Sequence, residues 1–174
     1  MKIMKGIILA VIFVICSLMG IWVDEDQRKR IKQLESFEYL FGLLRGEIDY
    51  QLTPLKEACK QISQRDQKGI GQIFDQFAKE LEAKESADLN EMWKSALETY
   101  KGKLHLKETD YEILESFSNA CGYLDKNMQK RNLDFVIEKL AHEKKLSAEK
   151  YERCSKLNKS LGVLLGAAIV IFLL

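Results

Sequence analysis

The chain has 174 residues and a mass of 20.1 kDa, room for one domain with appendages but not for two full domains. With 27 Lys+Arg against 26 Asp+Glu the net charge is +1, which lacks the cationic excess expected of a nucleic-acid binder. Hydrophobic residues at 47% exclude disorder over most of the chain, and one proline with 10 glycines supplies too few turns for an all-β fold. A mean hydropathy of −0.20 hides an asymmetry: both ends are apolar and the middle is rich in charge.

Gly6 to Val23 (GIILAVIFVICSLMGIWV) carries no charge. As a helix it is about 27 Å long, near the ~30 Å hydrocarbon core of a bilayer. Its Leu, Ile, Val and Phe residues together favour insertion by about 3–7 kcal/mol. Lys2 and Lys5 also suit a signal peptide, but the run exceeds the usual apolar length and no A-x-A site follows it. Residues 1–23 are therefore read as a retained transmembrane anchor.

Residues 24–158 carry helical periodicity throughout. Ile31, Leu34, Phe37, Phe41, Leu44 and Ile48 form one apolar stripe, with Arg30, Lys32, Glu35, Arg45 and Glu47 on the opposite face. Thr53-Pro54 interrupts the chain; Thr53 is expected as an N-cap and Pro54 in the first helical turn of a short helix that turns Leu55, Ala58, Cys59 and Ile62 inward. Gln64 to Gly69 breaks that helix. Ile70, Ile73, Phe74, Phe77 and Leu81 form the next stripe. Asp88 and Glu91 have capping-box spacing ahead of Met92, Trp93, Ala96, Leu97 and Tyr100, and Gly102 ends that helix. Thr109 and Glu112 repeat the box ahead of Ile113, Leu114, Phe117 and Cys121, with Gly122 as a C-terminal glycine. A last helix starts near Asp125, buries Leu133, Val136, Ile137 and Leu140, and then becomes heavily charged (HEKKLSAEKYERCSKLNK). A helix polar on nearly all sides reads as a stalk bridging space rather than a buried element.

Leu161 to Leu174 (LGVLLGAAIVIFLL) is apolar on all sides. Counted from Lys156, whose ammonium can snorkel to the headgroups, the helix is about 28 Å long. Residues 159–174 are read as a second transmembrane helix. Ten Lys/Arg flank the inner ends of the two runs, from Arg28 to Lys32 and from Lys144 to Lys159, against Lys2 and Lys5 outside them. By the positive-inside rule the middle is cytoplasmic and both termini are extracytoplasmic. The expected architecture is all-α: an antiparallel bundle of about six helices, residues 24–158, between an N-terminal and a C-terminal transmembrane helix.

Chemistry-bearing motifs are missing. Cys16, Cys59, Cys121 and Cys154 show no metal spacing, and Cys59 and Cys121 read as small core residues. His105 and His142 stand apart. GIGQIF at Gly69 to Phe74 lacks the Lys-Ser/Thr of a phosphate loop, and no G-x-S-x-G occurs. Carboxylates such as Glu47 and Asp49 do not converge. No catalytic residue, cofactor-binding residue or metal ligand is expected, and the chain is read as not an enzyme.

The order of segments carries a resemblance. Arg28 to Ile62 reads RKRIKQLESFEYLFGLLRGEIDYQLTPLKEACKQI, with E-I-x-Y-x-x-T-P-L at Glu47 to Leu55. IGQIFDQFAKEL follows at Ile70 to Leu81, then Met92-Trp93, then GYLDKNMQKRNL at Gly122 to Leu133. The last run opens S-L-G-V-x-x-G at Ser160 to Gly166. Over nearly the whole chain this resembles the stage III sporulation protein AB family of endospore-forming bacteria. It departs from the family's pattern at Leu124-Asp125-Lys126-Asn127. The resemblance implies a soluble domain like the cytoplasmic domain of type II secretion F-type platform proteins. It implies a place in the mother-cell membrane facing the forespore, within a channel-like complex of membrane subunits. It also implies a secretion-ATPase-like partner, stage III sporulation protein AA. The expected role is a non-enzymatic membrane platform that docks this ATPase. Its candidate contacts are Arg45, Glu47, Asp49 and Tyr50, near the Thr53-Pro54 turn; the plainer reading is that Tyr50 packs and the charges solvate a face. The bilayer is the other expected partner, and nucleic acid is not. The alternative from another class is a membrane-anchored signalling or sensor linker. It expects a sizeable ligand pocket in the bundle and an output domain for which the length leaves no room.

Overall fold

Steps of three and four between apolar positions produce helices and nothing else among the described residues. The computed structural model describes residues 2–50, 53–83, 88–121 and 126–173, with side chains at 24–50, 53–83, 88–118 and 128–153. The helices are α1 (Lys2–Tyr50), α2 (Leu55–Ser63), α3 (Gly71–Ala83), α4 (Leu89–Tyr100), α5 (Glu108–Cys121) and α6 (Lys126–Leu173), with short 3-10 turns at Gln64–Asp66 and Lys101–Lys103. Two structural units share α1 and α6: Lys32–Lys144 forms one, and Met1–Ile31 with Lys145–Leu174 forms the other.

In the unit Lys32–Lys144, every helix sends its apolar stripe to one core. Leu34, Phe37, Leu40, Phe41 and Leu44 of α1 are fully buried, as are Ala58 and Cys59 of α2, Phe74 and Phe77 of α3, Leu114 of α5, and Val136 and Leu140 of α6. Trp93 of α4 sits at the centre. Its ring lies 5.4 Å from Phe74, 5.2 Å from Phe77, 6.0 Å from Phe41 and 4.9 Å from Phe117, mostly edge to face. Edge-to-face contacts set the positive rim of one ring against the negative face of another, worth about 0.5–1.5 kcal/mol per pair beyond area burial. The buried indole N–H donates to the Leu114 carbonyl at 2.7 Å, so the one polar atom of Trp93 is satisfied.

The helix ends differ in detail from the sequence expectations. Pro54, not Thr53, is the N-cap of α2, with extended ψ 143°. Its carbonyl accepts from the Ala58 N–H at 2.9 Å. Thr53 Oγ1 turns back to Glu47 instead, 3.4 Å away. Asp88 caps α4 as expected, accepting from the Asn90 N–H at 2.9 Å. The start of α5 lies two residues earlier than the Thr109 box places it. Lys107 supplies the first accepting carbonyl, and Asp110 Oδ2 reaches back to the Lys107 N–H at 2.8 Å. This is the carboxylate half of a capping box, displaced by two residues because Asp110 is short enough to reach that N–H. Between α2 and α3, Asp66 Oδ2 accepts from the Ile70 N–H at 2.9 Å. Gly71 is required there: a Cβ on it would lie 2.6 Å from the Ser63 carbonyl oxygen and closer still to that of Asp66. Gly122 and the Leu124–Asp125 departure lie outside the described residues, and the Cys121 side chain lies outside the described side chains.

In the other unit, α1 and α6 meet through polar side chains. Asp24, Arg30 and Ser147 are buried. The Arg30 guanidinium donates to Ser147 Oγ, and Tyr151 OH donates to Asp24 Oδ2 at 3.2 Å. The charged stretch of α6 is thus not solvated on every side, as its composition suggests. Hydrogen bonding to α1 lets polar groups be buried where apolar ones were sought. The apolar runs 6–23 and 161–173 fall within α1 and the end of α6, outside the described side chains; among the residues whose side chains are described, no helix is long and apolar enough to cross a membrane.

Trp93→Ala is expected to lower stability by about 3–5 kcal/mol, as truncation of a fully buried aromatic leaves a cavity. Urea unfolding of the full chain in micelles, followed by far-UV circular dichroism, reads this. The same measurement separates two glycines. Gly71→Ala forces a methyl into backbone and should cost about 1–3 kcal/mol. Gly42→Ala, mid-helix with nothing within 4 Å, should stabilise by about 0.5–1 kcal/mol.

Candidate functional site

The last two turns of α1 carry Arg45, Glu47, Asp49 and Tyr50 on different sides of one helix. The structure divides them by task. Arg45 faces α6 and grips the Asp134 carboxylate with two nitrogens, Nε on Oδ1 and Nη2 on Oδ2, the latter at 3.4 Å. Asp49 receives Lys130 at 2.7 Å, and about three turns earlier Glu38 receives Lys144 at 2.6 Å. These three bridges run antiparallel along α1 and α6 and hold their register. All are partly exposed, so each contributes only about 0.2–1 kcal/mol. Arg45 and Asp49 are therefore engaged inside the bundle.

Glu47 and Tyr50 point elsewhere. Glu47 accepts the Thr53 N–H at its carbonyl, 3.3 Å away, which closes the end of α1. Its side chain lines an open recess of about 320 Å³ with Leu43 of the same helix, Gln61 and Ile62 of α2, and Gln64 and Arg65 of the turn beyond. Tyr50 is 83% exposed, more than any other large hydrophobic residue described, the next being Tyr39 at 57%. An aromatic ring left in water at a helix end, three residues along from a recess-lining carboxylate, is the composition of a contact patch. Among the described residues no group of His, Cys, Asp and Glu is placed to hold a metal ion. His105 uses its backbone N–H to bind Gln33 Oε1 at 2.7 Å, and His142 is exposed on α6. Cys59 is a buried thiol in the core, as its stripe position predicts.

A second recess, of about 290 Å³, lies between α1, the α2–α3 corner and the turn after α4. Lys32, Lys68 and Lys103 line it, on three separate segments. In sequence Lys32 reads as one charge of a solvated face and Lys68 as part of a helix break. No linear motif joins these residues. Neighbouring Lys101 is not part of this recess; its hydrogen bond to Glu98, at 2.6 Å, raises its ammonium above the ordinary range.

If the α1–α6 bridges form in solution, Arg45→Ala and Asp134→Ala will be coupled. A double-mutant cycle in urea should return an interaction of about 0.5–1 kcal/mol. A value of zero would mean that Arg45 is available to a partner.

Known proteins resemble the chain in both sequence and fold. The family model described as Stage III sporulation protein AB (spore_III_AB) matches residues 5–174. The Stage III sporulation protein AB of Bacillus subtilis (strain 168) is 26% identical over 146 residues, covering 84% of this chain and 85% of that protein. A solved structure of a stage III sporulation protein AB superposes with a TM-score of 0.66 at 22% identity, over 71% of this chain and 97% of that one. At that identity the superposition shows a shared fold.

Proposed function

Since the chain belongs to the stage III sporulation protein AB family, we propose that it is a non-enzymatic membrane platform subunit of the mother cell–forespore channel complex, docking a cytoplasmic secretion-type ATPase. The observation that carries the docking reading is Tyr50, 83% exposed and three residues along α1 from Glu47 and its recess, on a bundle whose Phe41, Phe74, Phe77 and Phe117 interlock around Trp93. A rigid core presents an exposed ring without losing order elsewhere, which lowers the entropy cost of binding. Tyr50 supplies apolar area and a polar tip, and Glu47 supplies charge at the rim. Arg45 and Asp49 act behind that patch by holding α1 against α6.

The anchoring half of the proposal rests on hydropathy. Runs 6–23 and 161–174 are each free of charge, and cations cluster on their inner flanks. Both runs span the bilayer in this reading, with the bundle in the cytoplasm and the termini on the far side. The rival, a signalling linker, needs a ligand cavity inside the bundle. The described centre is instead occupied by the Trp93 cluster.

Two measurements test these halves. Full-length chain, solubilised and immobilised, should retain stage III sporulation protein AA. Tyr50→Ala combined with Glu47→Lys should reduce recovery at least tenfold, on the order of 1.4 kcal/mol or more. No recovery with the unaltered chain overturns the docking, and undiminished recovery with the variant overturns the site. For topology, a cysteine at Lys60, in a background otherwise free of reactive thiols, should react with an impermeant maleimide only after permeabilisation. A cysteine at Lys2 should react without it. The reverse pattern contradicts the orientation.

A further inference from the structure

About half of the described cations in the unit Lys32–Lys144 are paired with a carboxylate. Arg45, Lys56, Lys79, Lys94, Lys101, Lys130 and Lys144 each have a carboxylate partner within 4 Å. The three lysines lining the 290 Å³ recess do not: among the described residues neither Lys32, Lys68 nor Lys103 has such a partner. Lys103 rests over the Tyr100 ring, 5.3 Å from its centre, which holds its stem in place and leaves its ammonium without a counter-charge. The one carboxylate on the recess wall is Asp66. It is spent on the Ile70 N–H at 2.9 Å and folded against Gly69, where a Cβ would lie 2.6 Å from Asp66 Oδ1. The wall therefore carries three positive charges against one internally bonded negative charge.

The rest of the wall suits an oxyanion. Ser36 and Gln72 add neutral polar groups at the rim, and buried Ile70 and Ile73 form an apolar floor that weakens competition from water. The Gln33 side chain clamps two segments of the wall, donating to the Lys103 carbonyl at 3.2 Å and accepting from the His105 N–H at 2.7 Å. That clamp fixes the turn carrying Lys103 against α1, which carries Lys32. Three lysines from separate segments lining one recess carry more positive charge than a single carboxylate needs. They match a multiply charged tetrahedral oxyanion, for which lysine acts as a point charge.

We propose that this recess binds a phosphate-bearing anion through Lys32, Lys68 and Lys103. The source of the phosphate is either a free phosphorylated compound or the headgroup of an anionic lipid, and the chemistry of recognition is the same. The site is separate from the Tyr50 patch and does not depend on ATPase docking.

The test uses the full chain and reductive methylation of lysines read by mass spectrometry. In uncharged micelles, inorganic pyrophosphate should protect Lys32, Lys68 and Lys103 but not Lys60, Lys107 and Lys139, which are likewise exposed but lie outside the recess. If the source is lipid, protection at the same three lysines appears in nanodiscs containing phosphatidylglycerol and not in pure phosphatidylcholine, with pyrophosphate absent. Lys32→Gln, Lys68→Gln and Lys103→Gln together should weaken pyrophosphate or phosphatidylglycerol binding at least tenfold. The matched triple Lys60→Gln, Lys107→Gln and Lys139→Gln should change it less than twofold. Ser36→Glu, which places a carboxylate at the rim, should abolish protection while the helical signal stays intact. Equal effects of the two triples, protection spread over all six lysines, or full protection in the Ser36→Glu chain would each overturn the proposal.

Discussion

One side chain organises the bundle. Trp93 is fully buried, its ring meets Phe41 of α1, Phe74 and Phe77 of α3, and Phe117 of α5, and its N–H is bound to the Leu114 carbonyl of α5. A buried indole is tolerable only if that N–H is satisfied, so the hydrogen bond fixes the rotation and height of α5 relative to α4. The ring contacts then fix α1 and α3. Everything presented at the surface inherits its position from this arrangement.

Two consequences reach function. The first concerns α1. With its core face held by the cluster and its flank tied to α6 through Arg45–Asp134, Asp49–Lys130 and Glu38–Lys144, the end of α1 is a fixed edge on which Tyr50 stands exposed. A docking residue on such an edge loses little freedom on binding. The second concerns the three-lysine recess. Its walls come from α1, the Asp66–Gly71 corner and the turn after α4, all positioned by the same core. The exposed ring and the cationic recess are separate features of one scaffold.

Much of the fold was legible from residues, and the reason is periodicity. The stripes Leu34–Phe37–Phe41–Leu44, Ile73–Phe74–Phe77 and Met92–Trp93–Ala96–Leu97 are all buried in one core. Membership of the family was legible too, because the E-I-x-Y-x-x-T-P-L stretch and its neighbours are linear. Less legible were features decided by side-chain reach. Thr53 was expected to cap α2, yet its hydroxyl is closer to Glu47 and the cap position passes to Pro54. The charged part of α6 looked solvated on all sides, yet Ser147 and Tyr151 bond to Arg30 and Asp24 more than a hundred residues away in sequence. Of the four candidate contact residues, spacing alone did not separate the two committed to α6 from the two facing outward. The lysine recess draws on three segments and leaves no trace in any one of them.

The claim that most depends on all of this is that the bundle meets its partner at the end of α1. Site-specific photo-crosslinking in sporulating cells tests it directly, with a benzophenone amino acid replacing Tyr50 in one strain and Phe135, on exposed α6 surface, in another. A crosslink to stage III sporulation protein AA from position 50 and none from position 135 is expected. A crosslink from position 135 alone, or to an unrelated protein from position 50, would contradict it.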